Sequence, residues 1–301
     1  MIKHTLEISQ RPARLTIEKR QLVIHPSEGQ PERRFACEDV GILILQHPAI
    51  SLTAAVLNTL LESGAAIIIC NQKHLPSGIL LPTVTHTELV PRMMAQLSAS
   101  LPAKKTAWKA IVRAKITAQS AELPSSLQPR MNAIAASVKS GDPENAEARA
   151  AKIYWQSRFP AIYLAGDKRD PDGTSLFNSL LNYGYAILRA SVARALVSAG
   201  LQPALGVFHH HRSNPYCLAD DVMEPFRPLV DRLVHRILSE NPDSALTELT
   251  ADHRRELLGI LTFPITLEES SGPLMAVLPR YINAFFRLLT KETESLPRLD
   301  Y

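Results

Sequence analysis

The chain has 301 residues, of which 46% are hydrophobic and 21% charged. That balance is globular and excludes a chain that is disordered, collagen-like or coiled coil throughout. The length suits one large domain or two modest ones, because single cores stop growing near about 250–300 residues. Lys and Arg number 33 against 29 for Asp and Glu, a net charge of +4, which is compatible with a polyanionic partner and equally with ordinary surface variation.

The longest apolar stretches, such as Gly64–Cys70, fall far short of the ~20 residues a membrane helix needs. The start, Met1 to Glu7, has no long apolar run and no small-residue cleavage site, so no signal peptide is expected. Cys37, Cys70 and Cys217 are well separated and odd in number. They predict reduced thiols in a cytoplasmic protein, not a disulfide framework.

In chain order, Thr5–Ser9, Arg14–Glu18 and Gln21–His25 alternate or are β-branched, and Pro26-Ser27-Glu28-Gly29 breaks the chain after them, which predicts a hairpin-like meander. Val40–Leu45 and Ala66–Cys70 are continuous apolar runs and are expected as buried strands. Between them Leu52, Val56, Leu57, Leu60 and Leu61 share one side of a helix that Gly64 stops. Gly78–Leu81 is a last short strand. After Pro82 the pattern becomes helical: Glu88–Ser100, Lys104–Ala121, Met131–Ser140, Glu144–Ser157, Ser175–Ala199, Ala219–Ser239, Glu248–Leu261 and Pro273–Glu292. Prolines 102, 124, 129, 143, 160, 203, 242 and 264 fall near the joints, where a residue without an N–H sets boundaries. The expected fold is α+β, with a small β-rich domain carrying one helix over residues 1–82 and an all-helical domain over 83–301.

The unusual stretch is Gly206-Val207-Phe208-His209-His210-His211, followed by Leu218-Ala219-Asp220-Asp221-Val222-Met223-Glu224-Pro225-Phe226-Arg227-Pro228. Three adjacent histidines at a break between helices are not core-like, and taken alone they are a polar surface loop. Asp221 and Glu224 are three apart and share a helix face, so they repel unless a cation lies near. Asp220 and Asp221 equally suit the first turn of a helix. Mixed imidazole and carboxylate ligands suit Mn²⁺ or Mg²⁺, and with no cysteine at a suitable spacing a structural zinc site is not expected. His209 and Glu224 alone are too few, so a third acid must come from elsewhere. Glu147 shares a face with Ala151 and Tyr154 on an alanine-rich helix that allows close approach of another, where an unpaired carboxylate is costly to bury. It either meets a cation there or pairs with Arg149, Lys152 or another helix's arginine.

Together these segments resemble the CRISPR-associated adaptation integrase family (CRISPR-associated protein one), in its type II form. The resemblance spans nearly the whole chain. It rests on Gly141-Asp142-Pro143-Glu144-Asn145-Ala146-Glu147, on Phe177-Asn178-Ser179-Leu180-Leu181-Asn182-Tyr183-Gly184-Tyr185, on Gly200-Leu201-Gln202-Pro203-Ala204-Leu205-Gly206 running into His209, and on Asp221-Val222-Met223-Glu224-Pro225-Phe226-Arg227. The resemblance implies an N-terminal β domain that dimerises and a helical catalytic domain. It implies metal ligands at Glu147, His209 and Glu224, with Asp221 in support and Arg227 facing DNA. The Gly-x-x-His spacing from Gly206 selects His209, with His210 next. The implied reaction joins 3′-hydroxyl ends of foreign DNA fragments into the CRISPR array with Mg²⁺ or Mn²⁺, with associated endonuclease activity. The implied partners are DNA, a second copy of the chain, the small CRISPR-associated protein two bridging two dimers, and an RNA-guided effector nuclease.

Lys104, Lys105, Lys109, Arg113 and Lys115 on one helix are candidate DNA contacts or a solvated face. Trp108 on that helix is expected to pack. Asn182, Tyr183 and Tyr185 are expected to shape the core beside the metal, and Arg189 and Arg194 to form structural ion pairs. Three other readings remain at the level of sequence: a metal-dependent nuclease acting on branched DNA or RNA, a non-catalytic DNA-binding scaffold, and a generic helical protein with a surface histidine loop.

Overall fold

The structure is a computed structural model that describes residues 3–27, 30–72, 76–83, 86–240 and 248–301. The Glu28-Gly29 part of the expected chain break and the joint expected at Pro242 lie outside the described residues. The N-terminal part consists of β1 (His4–Ile8), β2 (Ala13–Glu18), β3 (Gln21–Pro26), β4 (Arg33–Ala36), β5 (Val40–Leu45), β6 (Ser51–Leu52), α1 (Ala54–Glu62), β7 (Ala66–Cys70) and β8 (Pro76–Leu80). The remainder is α2 (Leu89–Ser98), α3 (Leu101–Ala121), α4 (Gln128–Ser137), α5 (Ala146–Arg158), α6 (Pro160–Leu164), α7 (Leu176–Ser198), α8 (Cys217–Met223), α9 (Arg227–Glu240), α10 (Ala251–Leu258), β9 (Pro264–Leu267), β10 (Ser270–Pro273), α11 (Leu274–Leu289) and β11 (Leu299–Asp300). A β-rich N-terminal region thus precedes a largely helical one.

The N-terminal strands β1–β8 form two sheets, in the order β4-β3-β2-β6 and β1-β5-β7-β8. The meander expected of the first three strands is real only for β2 and β3, which pair antiparallel from Ala13–Pro26 to Glu18–Gln21. β1 instead runs parallel to β5 in the other sheet. Thr5–Ser9 has the alternation of a half-buried strand, and alternation does not say which neighbour a strand takes.

β5, and β7 as far as Ile68, are apolar because both faces of their sheet are covered there, while Ile69 is exposed. Val40, Leu43 and Ile67 point into a core made with β1, β2, β3 and α1. Ile42, Ile44 and Ile68 point the other way, into the core of the helical part. This one sheet therefore joins the two parts. Polar contacts add to the joint: Gln46 Nε2 donates to Tyr183 Oη at 2.9 Å, and Arg194 Nε to the Gly64 carbonyl at 2.7 Å.

In the helical part α7 runs through the centre, with most of its residues buried. Gly184 is where α9 comes closest, since a Cβ there would stand 2.4 Å from Val230 Cγ1. The single helix expected over Ala219–Ser239 is broken. α8 ends at Met223, Glu224–Phe226 is a 3₁₀ turn, and α9 begins at Arg227. Pro225 has no N–H to give an α-helical ladder, so the chain tightens there. The small sheet β10-β9-β11 was not expected. It places Tyr301 against the core, where its hydroxyl donates to the Pro225 carbonyl and its own carbonyl accepts from Arg232 Nη2 at 3.0 Å. No helix among the described residues is long and apolar enough to cross a membrane.

Candidate active site

Glu147 sits in the first turn of α5. The loop before it carries Gly141, Asp142 and Asn145 at positive φ (78°, 49° and 55°) and turns the Asp142 carboxylate back onto the helix end. Asp142 Oδ1 accepts from the Ala146 N–H at 2.8 Å and Oδ2 from the Glu147 N–H at 3.0 Å. Two otherwise unsatisfied amides are thereby capped by an acid at the positive end of the helix dipole. The cap fixes where Glu147 begins its course into the bundle.

His209 lies in the loop between α7 and α8, and Asp221 on α8 builds that loop. The Asp221 carboxylate is fully buried. Its Oδ2 accepts from the N–H groups of Val207 (2.7 Å) and Phe208 (3.1 Å), and its Oδ1 from the His209 N–H (3.1 Å) and His209 Nδ1 (2.7 Å). The chain crosses itself so tightly that a Cβ on Gly206 would stand 2.3 Å from the His209 carbonyl oxygen. Asp221 raises the His209 pKa above the usual imidazole value, chiefly through the hydrogen bond and against the effect of burial. With Nδ1 committed to Asp221, Nε2 is the ring nitrogen left for a ligand, which is how a carboxylate behind a metal-binding histidine works. His210 and His211 are exposed. Beside His209, the Phe208 ring stacks on Trp108 with centroids 4.0 Å apart. Trp108 is buried, as a packing residue should be.

Glu224 is buried at the 3₁₀ turn. Arg227 Nη1 binds its Oε1 at 2.7 Å. Asp221, expected to share a helix face with Glu224, instead binds the histidine loop. The carboxylate that meets Glu224 is Glu147, with Lys115 of α3 between them: its Nζ is 2.6 Å from Glu147 Oε1 and 2.5 Å from Glu224 Oε2. Burial alone would push the Glu224 pKa up, but Arg227 and then Lys115 outweigh it and hold the carboxyl down at about 2. Burial acts against the Lys115 ammonium as well, and the two carboxylates more than offset it, so its pKa is raised.

Beneath these groups lies Asp231 on α9, which is fully buried. Tyr154 donates to its Oδ2 at 2.9 Å and Tyr185 to its Oδ1. Arg227 stacks over the Tyr185 ring at 4.2 Å. Glu224, Arg227, Tyr185, Asp231 and Tyr154 thus form one continuous polar layer linking α5, α7 and α9.

Glu147 and Glu224 are brought to a single point, and His209 and Asp221 to each other. Arg227 is engaged with Glu224 and Tyr185. Of the expected basic face on α3, Lys105 and Arg113 are exposed but Lys115 is inside. Its position was readable, because Lys115 is seven residues after Trp108, four after Ile111 and three after Val112, on the buried stripe of that helix. Asp231 was missed too, although it sits among the buried Leu229, Val230, Leu233 and Val234 of α9. Tyr185 does line the core here, whereas Tyr183 is buried at the joint with the sheet, where it accepts from Gln46 Nε2, and Asn182 turns outward and binds the Pro171 carbonyl at 2.9 Å. Arg189 pairs with Asp220 at 2.9 Å, while Arg194 binds the Gly64 carbonyl instead of an acid.

Among the described residues no three His, Cys, Asp or Glu side chains close around one point as placed. The donor set nevertheless fits a divalent ion. Glu224 Oε2 is buried and accepts no aligned hydrogen bond among the described residues, despite the ammonium beside it. It faces Glu147 across a position that already holds a positive charge. Two carboxylates and an imidazole anchored by a third acid are the hard, oxygen-rich set that Mg²⁺ and Mn²⁺ prefer.

A β-rich N-terminal region followed by a helical bundle is the fold of CRISPR-associated Cas1 chains. The family model described as CRISPR associated protein Cas1 matches residues 6–245, and the chain belongs to that family. A CRISPR-associated endonuclease Cas1 of Neisseria meningitidis serogroup C (strain 8013) is 34% identical to it over 97% of this chain and 96% of the relative. In fold the chain is similar to a casposase bound to integration product, with TM-score 0.80 and 20% identity, covering 98% of this chain and 92% of that one. It is also similar to a chain of a Cas6-RT-Cas1–Cas2 complex, with TM-score 0.75 and 19% identity, covering 97% of this chain and 35% of that one.

Proposed function

We propose that this chain is a divalent-metal-dependent DNA integrase of CRISPR adaptation, joining the 3′-hydroxyl ends of foreign DNA fragments into the CRISPR array by transesterification, with associated endonuclease activity. The observation that carries the reading is the convergence of Glu147 and Glu224 on one cation position, 2.6 and 2.5 Å from the Lys115 ammonium. Glu147, His209 Nε2 and Glu224 are the groups that would hold Mg²⁺ or Mn²⁺. Such an ion supplies Lewis acidity at the phosphorus centre and lowers the pKa of the attacking hydroxyl.

The chain's own residues do the rest. Asp221 fixes the His209 ring so that Nε2 is presented. Arg227 keeps Glu224 ionised. Lys109 and Arg113 on α3, with Lys152 and Arg212, neutralise DNA phosphates, so binding weakens steeply with salt. One phosphodiester is exchanged for another, and ATP has no part in the reaction. The β-rich residues 1–82 form the homodimer contact and residues 83–301 carry the chemistry. The casposase neighbour was bound to an integration product, and the other neighbour is a complex with Cas2. These likenesses support DNA and the small CRISPR-associated protein two as partners; the family resemblance adds that this small protein bridges two dimers of the chain. An RNA-guided effector nuclease is the further partner of the type II form.

The relatives bear the name endonuclease, and water in place of the 3′-hydroxyl would give hydrolysis at the same site. The test is an assay with short duplexes, a supercoiled plasmid carrying the repeat, Mg²⁺ or Mn²⁺, and the small partner protein. Joined strands that vanish when the duplex carries 3′-dideoxy ends are expected. Shortened strands with no joining would replace the integrase reading with the nuclease one.

A further inference from the structure

Two acidic side chains that meet inside a protein need a positive charge between them, or one of them takes up a proton. Here that charge is on the chain itself. Lys115 is delivered by the buried stripe of α3, and its side chain is only 10% exposed. Its ammonium spans Glu147 and Glu224, the two carboxylates that would ligate a metal. Lys115 Nζ lies 2.6 Å from Glu147 Oε1 and 2.5 Å from Glu224 Oε2. A single positive charge holds this position less firmly than a doubly charged ion ligated by both oxygens.

We infer that Lys115 is a resident counter-ion of the metal position: its ammonium holds Glu147 and Glu224 together before a divalent ion binds, and that ion displaces it. The inference rests on the metal reading of the site made above. Lys115 stays protonated throughout and exchanges one set of partners for another, so no bond is made or broken. The metal-free chain avoids two facing carboxylates with nothing between them, and apparent metal affinity is set in part by the competition.

The test is Mn²⁺ binding by the full chain without DNA, followed by the electron paramagnetic resonance signal of free Mn²⁺. Wild type is compared with Lys115→Met, which keeps the apolar stem, and with Glu224→Gln. Lys115→Met is expected to bind Mn²⁺ at least about tenfold more tightly, because a charge-assisted contact no longer competes. It is also expected to melt at a lower temperature without metal and to recover that loss when Mn²⁺ is saturating. Equal or weaker binding by Lys115→Met would overturn the inference while leaving the metal site standing. Binding by none of the three chains, or undiminished binding by Glu224→Gln, would overturn the metal reading and the inference with it. A second measurement needs no variant. Acetylation of Lys115 in wild type, read by peptide mass spectrometry, is expected to rise when Mg²⁺ is added, and protection or no change would contradict displacement.

Discussion

The smallest unit with a clear consequence is Asp221. Its four accepted hydrogen bonds tie three successive amides and one imidazole to a single carboxylate. Asp221→Ala leaves those amides without their acceptor and is expected to cost about 2–4 kcal/mol, read as a shift in a urea denaturation midpoint. Asp221→Asn, which keeps one acceptor oxygen, is expected to cost less. The sequence pointed to Asp221 as a supporting acid through family resemblance. It did not show that the residue folds the histidine loop, because those contacts are to backbone amides and spacing says nothing of them. Asp231 gives a pH signature. Burial pushes its pKa up to about 6 from the usual 3.8, against the pull of Tyr185 and Tyr154 from α7 and α5, of Arg227 on its own helix, and of Lys115 from α3. A carboxyl raised on folding stabilises the fold fully below about 3.8 and loses that contribution as pH rises through about 6. Wild-type stability is therefore expected to fall across this window relative to Asp231→Asn. The two-unit shift corresponds to a difference on the order of 3 kcal/mol, measurable by chemical denaturation at a series of pH values. Parallel curves would refute the raised pKa.

At the scale of elements, the site depends on how closely α7 and α9 pack. Gly184→Ala places a methyl 2.4 Å from Val230 Cγ1 and is expected to cost about 1–3 kcal/mol as an overpacked contact. Adding Val230→Ala should return part of that loss in a double-mutant cycle. Additive costs would mean that the helices simply move apart. Elements were legible in proportion to their periodicity. The apolar runs of β5 and β7 and the stripes of α3, α7 and α11 appear in the structure within a few residues of where they were expected. The break at Glu224–Phe226 was hidden because Leu218–Leu229 keeps a helical pattern across it, and Pro225 by itself did not say whether the helix kinks or stops. β4, β6 and the β9–β11 sheet are short, and strands of two to four residues leave too little pattern to read. β1 was recognised as a strand but given the wrong partner, since register across a parallel crossover depends on the partner's packing.

At the scale of the whole molecule, the sheet β1-β5-β7-β8 serves two cores, one on each face. The two parts should therefore melt together. Arg194→Met removes the bond to the Gly64 carbonyl that ties α7 to the loop before β7. It is expected to lower the midpoint of one calorimetric transition by a few degrees, the size of effect that about 1 kcal/mol produces in a chain this long. Two separated transitions would show instead that the shared sheet does not couple the parts. The site itself sits where α3, α5, the histidine loop and the turn before α9 meet, so it exists only in the assembled bundle. That is why Glu147, His209 and Glu224 were proposed only through the resemblance, while Lys115 was read as a DNA contact or part of a solvated face.

The most direct measurement of the central claim is strand transfer by single-residue variants. Wild type, Glu147→Gln, His209→Ala, Glu224→Gln and His210→Ala would be assayed side by side with the partner protein and Mg²⁺, each confirmed as folded by its melting transition. Joined product from wild type and His210→Ala, and none from the other three, is the expected result. Full joining by folded Glu224→Gln, or loss in His210→Ala with retention in His209→Ala, would contradict it.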